Sequence, residues 1–300
     1  MSQLNGILLV DKPEGLTSAE VVRRVKKVLP VDKIGHLGTL DPFASGLLPL
    51  CLGTGTKIAQ FLSAERKAYT GTIRLGVETE TLDVTGAVIC TTPVPTCEQE
   101  VLRDLERRFS GEYWQTPPMY SALKRHGVPL YKLARRGEVV EREPRKVLIE
   151  GFTLTRMSED TLTFSLSCSK GTYIRALAAD LGAALGCGAH LLSLRRTAFG
   201  PFSISQAIPL PCFGSRERPD ALPLLPPAQA LCHYRMLTIS SQAADQLRRG
   251  QQEILHALPA AEAAHETVRL LTPEGELVAV AAWQPDRWRL VRVLSATGAR

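Results

Sequence analysis

Apolar and polar positions repeat along this chain with two periods, and the period predicts the element. Residues 7–10 are a short apolar run closed by Asp11-Lys12-Pro13-Glu14-Gly15, the pattern of a buried strand and a turn. Val21, Val22, Val25 and Val28 then fall at helical spacing, with Thr17 or Ser18 as the cap. Arg23, Arg24, Lys26 and Lys27 lie between them and read as a solvated face, one that also suits a polyanion-binding protein. Residues 47–52 predict another buried strand and 57–62 a helix, while 69–77 alternate like a strand with one polar face. A helix is expected over 97–109, with a capping box in Thr96 and Gln99. Strands are expected over 147–156 and 161–169, turned at Ser158-Glu159-Asp160. A helix over 173–185 is ended by Gly186 and Gly188, and a strand follows over 191–198.

Paired strands with few helices argue for an α+β class built on a large, mainly antiparallel sheet. Six prolines between 209 and 227 mark the best domain boundary. Beyond it a helix over 241–249 and strands over 267–271, 277–283 and 288–294 predict a small β-rich domain. The expected division is a domain over 1–210, a Pro-rich linker over 211–228 and a small domain over 229–300.

Composition narrows the partners. Thirty-six basic against 30 acidic residues give a net charge of +6, and the isoelectric point is about 9.0. That balance favours RNA or another polyanion, or a membrane surface. No apolar run approaches the roughly 18 residues of a membrane span, and no signal peptide is visible, so a cytoplasmic location is expected. The seven cysteines are odd in number and scattered, which fits reduced thiols rather than a disulfide framework. A monomer is expected, since no stripe reads as an interface.

Residues 117–146 stand apart. Lys124, Arg125, Lys132, Arg135, Arg136, Arg142, Arg145 and Lys146 face only Glu138, Glu141 and Glu143, with Tyr120 and Tyr131 interleaved. Basic residues with aromatics suit an arm that grips an RNA backbone and stacks on bases; the plain alternative is an exposed, solvated hairpin. Two other candidates are weaker. Gly53-Thr54-Gly55-Thr56-Lys57 fails as a phosphate loop, because Thr56 separates the lysine from the second glycine. Cys187 and His190 form a lone C-x-x-H pair without a partner cluster, read as structural rather than as a zinc site.

The most informative stretch is Gly35-His36-Leu37-Gly38-Thr39-Leu40-Asp41-Pro42-Phe43-Ala44-Ser45-Gly46-Leu47-Leu48. Its one acid, Asp41, stands in an apolar setting; the glycines permit tight turns, and Pro42 pushes Asp41 out of the helical region. By itself this reads either as a rigid loop presenting a carboxylate or as an ordinary Asp-Pro turn. Its company decides. Gly6-Ile7-Leu8-Leu9-Val10-Asp11-Lys12-Pro13, Lys67-Ala68-Tyr69, Cys168-Ser169-Lys170-Gly171-Thr172-Tyr173-Ile174-Arg175 and Leu194-Arg195-Arg196 follow in an order that resembles the TruB-type tRNA pseudouridine synthases. The likeness is strong over residues 5–210 and loose beyond.

That resemblance implies a pseudouridine synthase fold with a PUA-like tail, and isomerisation of the T-arm uridine (position 55 in tRNA numbering) by base flipping. It implies Asp41 as the essential group, Arg175 as its cationic partner and Tyr69 as the stacking platform. Tyr173 and Leu194 would line the pocket, and His36, alone read as a satisfied loop histidine, would stand near the vacated space in the T-loop. Lys124, Arg125, Arg135 and Arg136 would bind RNA. No cofactor and no metal are expected, because the reaction neither transfers a group nor changes redox state. The competing readings are a tRNA-binding or folding chaperone without catalysis, a synthase acting on ribosomal RNA, and a hydrolase with paired acids; the last is disfavoured because the motif offers one carboxylate.

Overall fold

The computed structural model describes residues 4–63, 65–210 and 222–294. Its largest element is a mixed sheet whose strands run in the order Ile208–Pro209, Gly6–Lys12, Ser45–Leu52, Ala189–Phe199, Lys67–Leu75, Thr161–Cys168, Arg145–Arg156 and Gly111–Gln115. Two of these neighbouring pairs are parallel, Gly6–Lys12 with Ile208–Pro209 and Ser45–Leu52 with Ala189–Phe199. The others are antiparallel. The expected α+β class with a mainly antiparallel sheet and a β-rich tail is therefore what forms.

The helix Ser18–Val28 follows the predicted cap: Thr17 and Glu20 exchange hydrogen bonds in a capping box. Val21 and Val25 are buried in the core with Leu8, Leu48 and Leu50, while Arg23, Arg24, Lys26 and Lys27 are exposed. The helix Ile174–Leu185 ends at Gly186 in the left-handed region.

Three local expectations are corrected. The box at Thr96 and Gln99 does not form: Glu98 is the cap, without a side-chain bond, and the helix runs Gln99–Phe109. The chain first turns inward to bury Cys97, whose thiol donates to the Pro95 carbonyl. The strand expected over 69–77 stops at Leu75, because Gly76 takes φ +78° and Val77–Thr79 starts a separate hairpin with Val88–Thr91. Between 53 and 62 the chain makes a 3-10 turn, Gly53–Ile58, before the short helix Ala59–Leu62.

The second sheet orders Arg235–Thr238, Thr267–Leu271, Leu277–Gln284 and Arg287–Val293. It is not a free appendage. Leu271, Leu277, Val280 and Leu294 share a buried cluster with Ile7, Leu9, Leu47 and Cys51 of the large sheet. Leu224–Leu225, within the segment expected as a linker, pairs antiparallel with Gly6–Lys12; residues 211–221 lie outside the described ones. Among the described residues no helix is long and apolar enough to cross a membrane.

Candidate functional site

The Asp41 loop leaves the short strand Ile34–His36 and returns into Ser45–Leu52, which pair with each other. Its backbone is held from several sides. The Ser18 hydroxyl accepts from Leu40 N at 2.9 Å and donates to Leu40 O at 3.2 Å. Gly15 N and Lys12 Nζ both donate to Pro42 O, at 2.8 and 3.3 Å. From beneath, the fully buried Arg196 donates from Nη2 to Gly38 O at 3.0 Å and from Nε to Leu47 O at 2.7 Å. Gly46 has φ +103°, and a Cβ there would collide with the Arg196 main chain. Gly35, by contrast, has open space around it, so the freedom expected of it goes unused.

Arg175 lies in the first turn of Ile174–Leu185 and is buried. A cation at a helix N-terminus is unfavourable, and two carboxylates offset it. Arg175 Nε is 2.9 Å from Asp41 Oδ2, with Nη2 3.4 Å from Oδ1. The same Nε is 3.6 Å from Asp83 Oδ2. The remaining donors go to main chain: Nη1 to Thr81 O and Nη2 to Tyr120 O, both at 2.8 Å. Asp41 keeps 37% of its side chain exposed, against 6% for Arg175 and 6% for Asp83. One carboxylate thus faces open space while its partners are sealed behind it. Asp83 is fixed in turn by Thr81 Oγ1, Thr85 N and Thr85 Oγ1, beside Leu82 in the left-handed region at φ +61°.

Asp41, Tyr69, Tyr173, Arg175 and Leu194 line one cavity of about 720 Å³, with Leu40, Ile174, Tyr120, Ser121 and Tyr131 among its other walls. Tyr69 comes from Lys67–Leu75 and Leu194 from the adjacent Ala189–Phe199. Tyr173 is set by the buried Gln115, which accepts from Tyr173 N at 2.8 Å and donates to Tyr173 O at 3.1 Å. The Arg145 guanidinium lies 4.8 Å from the Tyr173 ring centre and also bonds Gly171 O. His36 is not among the residues lining the cavity; it sits half-buried on its strand, and its Nδ1 has no partner among the described residues.

The basic segment leaves and re-enters the sheet at Gln115 and Arg145, which lie opposite each other. It forms the hairpin Lys124–Arg125 with Val128–Pro129 and the helix Leu130–Ala134. Lys124, Arg125, Arg135 and Arg136 are all exposed, and Arg135 reaches the cavity rim. Within the segment Arg125 donates to Glu141 O at 2.8 Å, Arg136 pairs with Glu138 at 3.8 Å and Arg142 holds Pro117 O, while Lys146 pairs with Glu112 at 2.9 Å.

Burial sets the ionisation of the site. The buried Lys12 donates to Pro13 O and Leu16 O as well as Pro42 O. Desolvation lowers its pKa to about 8 even though Asp41 pulls the other way. Lys67 is lowered to about 8 by burial and by the Arg196 cation. Burial raises the Tyr69 phenol, keeping it neutral. His36 is lowered by burial and by Arg196, which favours the neutral ring. Cys187 donates to Gly188 O and His190 Nδ1 pairs with Val77 O.

Asp83 and Gln115 escape the sequence reading, while Ser18, a cap candidate, and Arg196, within Leu194-Arg195-Arg196, are read without a role in the site. Asp83 carries a local signal, since threonines at 81 and 85 flank it two residues either way, the spacing of side-chain-capped turns. Gln115 carries none, because its partner is 58 residues away, and the bonds of Ser18 to Leu40 cross 22 residues.

Comparison with known proteins follows the same lines. Residues 26–174 match the family model described as TruB family pseudouridylate synthase (N terminal domain), and residues 175–213 the one described as tRNA pseudouridylate synthase B C-terminal domain. The tRNA pseudouridine synthase B of Geobacter sulfurreducens is 42% identical over 97% of this chain and 100% of its own. That of Burkholderia pseudomallei is 44% identical over 93% of each. Among solved structures, a Cbf5–Nop10–Gar1 complex superposes with a TM-score of 0.71 at 25% identity, over 97% of this chain and 84% of the other. An H/ACA RNP bound to a substrate RNA containing 2'-deoxyuridine gives 0.70 at 23%, over 98% and 86%.

Proposed function

The chain belongs to the TruB family of pseudouridine synthases, and from that premise we propose that it converts the T-arm uridine at position 55 of tRNA to pseudouridine, with Asp41 as the essential group. Isomerisation of uridine in tRNA is the family's activity, and the chain is an enzyme of that kind. The finer reading rests on one observation: a half-exposed carboxylate, held by a sealed arginine, opens into a cavity with an aromatic wall.

The reaction breaks the bond from uracil N1 to ribose C1', turns the base and joins C5 to C1'. The C5 proton is lost and N1 gains one, so nothing is oxidised or transferred. Asp41 must be aimed, and the two-pronged contact with Arg175 aims it, since a guanidinium fork holds a carboxylate more firmly than an ammonium. The target base leaves its stack to enter the cavity, at a cost of a few kcal/mol. Stacking on Tyr69 offsets about 1–3 kcal/mol of that. Lys124, Arg125, Arg135 and Arg136 would take RNA phosphates. His36 would act at the T-loop and not on the flipped base, consistent with its place outside the cavity lining. A chaperone without catalysis has no use for a carboxylate so paired.

The test is an unmodified tRNA transcript incubated with wild type or Asp41→Asn, with pseudouridine mapped along it. Product at the T-loop uridine with wild type alone is expected, and Asp41→Asn should still bind the transcript. Product at another uridine would discard the substrate assignment; turnover by Asp41→Asn would discard the role of Asp41.

A further inference from the structure

Several hydroxyls that wall the cavity beside Asp41 are spoken for. Thr81 and Thr85 donate to Asp83, Thr172 to Ser169 O, and Tyr120 to Glu80. Arg175 is committed to Asp41, Asp83, Thr81 O and Tyr120 O. None of these is spare for a ligand without breaking an existing bond.

Ser121 differs. It lines the same cavity and is 5% exposed. Its main chain is satisfied at both ends, with Ser121 N donating to Met119 O at 2.9 Å and Ser121 O accepting from Tyr131 N at 3.1 Å. Its hydroxyl is closed off from solvent and has no hydrogen-bond partner among the described residues. A buried polar group left unpaired is costly, and such a group beside a reaction cavity calls for a partner that arrives with the substrate. The residue before it is the one whose carbonyl receives Arg175, so the backbone at this point is tied to the Asp41 pair. Serine has three staggered χ1 wells, and turning between them swings the hydroxyl without moving that backbone.

Building on the proposed reaction, we propose that Ser121 is a substrate-binding residue whose hydroxyl hydrogen-bonds the polar edge of the flipped uracil. The chemistry of the base lets one hydroxyl serve throughout. Turning uracil about the axis through N3 and C6 exchanges N1 with C5 and O2 with O4, and leaves N3–H where it was. Carbonyl replaces carbonyl and N3–H stays, so a hydroxyl on that edge, donating to a carbonyl or accepting from N3–H, keeps its partner before and after the turn. Ser121 therefore contributes equally to substrate and product, and its loss acts on binding rather than on the chemical step.

Ser121→Ala separates this role from others. With the T-arm transcript, KM should rise roughly three- to tenfold while kcat stays within about twofold, the signature of lost uniform binding. In an Asp41→Asn background, Ser121→Ala should weaken binding of uridine-containing RNA by the same factor. It should leave unchanged the binding of RNA that carries an abasic ribose at the target. Equal weakening on both RNAs would place the effect in the ribose, the RNA backbone or the protein fold, and would overturn the proposal. So would an unchanged KM in a Ser121→Ala enzyme whose parent is active. Absence of product with wild type would instead remove the reaction on which the proposal rests.

Discussion

At the scale of the residue, burial decides what each ionisable group does. Asp41 is partly open and paired with a sealed cation, whereas Asp180, on the same helix as Arg175, shows burial without compensation. Desolvation pushes its carboxyl up to about 6. A raised carboxyl supports the fold only while protonated: that support is full below its unfolded value of about 4 and is lost as the pH rises through about 6. At pH 7 the ionised group opposes folding. Asp180→Asn is therefore expected to stabilise the protein at pH 7 by about 1–2 kcal/mol, discounted for partial exposure. The gain should vanish below about pH 4. Thermal unfolding at both pH values checks it; no difference at pH 7 would mean that the carboxyl is well solvated.

At the scale of the element, the insertion between Gly111–Gln115 and Arg145–Arg156 combines two kinds of cation. Arg145 ties its base to Gly171 O and Arg142 closes it on itself through Pro117 O, while Lys124, Arg125, Arg135 and Arg136 are exposed, Arg125 and Arg136 bonding only within the segment, to Glu141 O and Glu138. Replacing those four with glutamine should weaken RNA binding and flatten its salt dependence. If all four touch phosphate, the slope of log K against log salt should fall by up to about 3. Titrations at several salt concentrations measure this, and an unchanged slope would assign these residues to plain solvation. The fold should survive, since exposed substitutions of this kind shift stability by about 0.5 kcal/mol or less.

At the scale of the whole molecule, the small sheet and the large one share a core. Leu231, fully buried, packs in one cluster with Ile7, Leu47, Leu277 and Leu294. Tyr234 donates to Phe61 O at 3.2 Å, and His233 stands 3.3 Å from Glu65. We propose two units, with the break inside the proline-rich segment, that unfold together because this core joins them. A single calorimetric transition is expected for wild type, and Leu231→Ala should cost about 2–5 kcal/mol. Two well-separated transitions in wild type would show the units to be independent.

Much of this protein was legible before any coordinates. The periods of 2 and 3.6 marked most strands and helices, because a half-buried element must put apolar groups on one side. The Thr17 cap and the Gly186 stop were local, hence readable. Asp41, Arg175, Tyr69, Tyr173 and Leu194 were named from ordered motifs, and the fold brings all five to one cavity. What only the tertiary structure decided are the contacts between distant positions. Asp83 joins Arg175 as a second carboxylate, Gln115 sets Tyr173, and Arg196 braces both ends of the Asp41 loop. The Ser121 hydroxyl has no partner among the described residues, and His36 stands outside the cavity lining. Periodicity and caps report each residue's relation to its own element. Burial, pairing and shared cations depend on which elements meet, and that is settled only when the sheet closes its order.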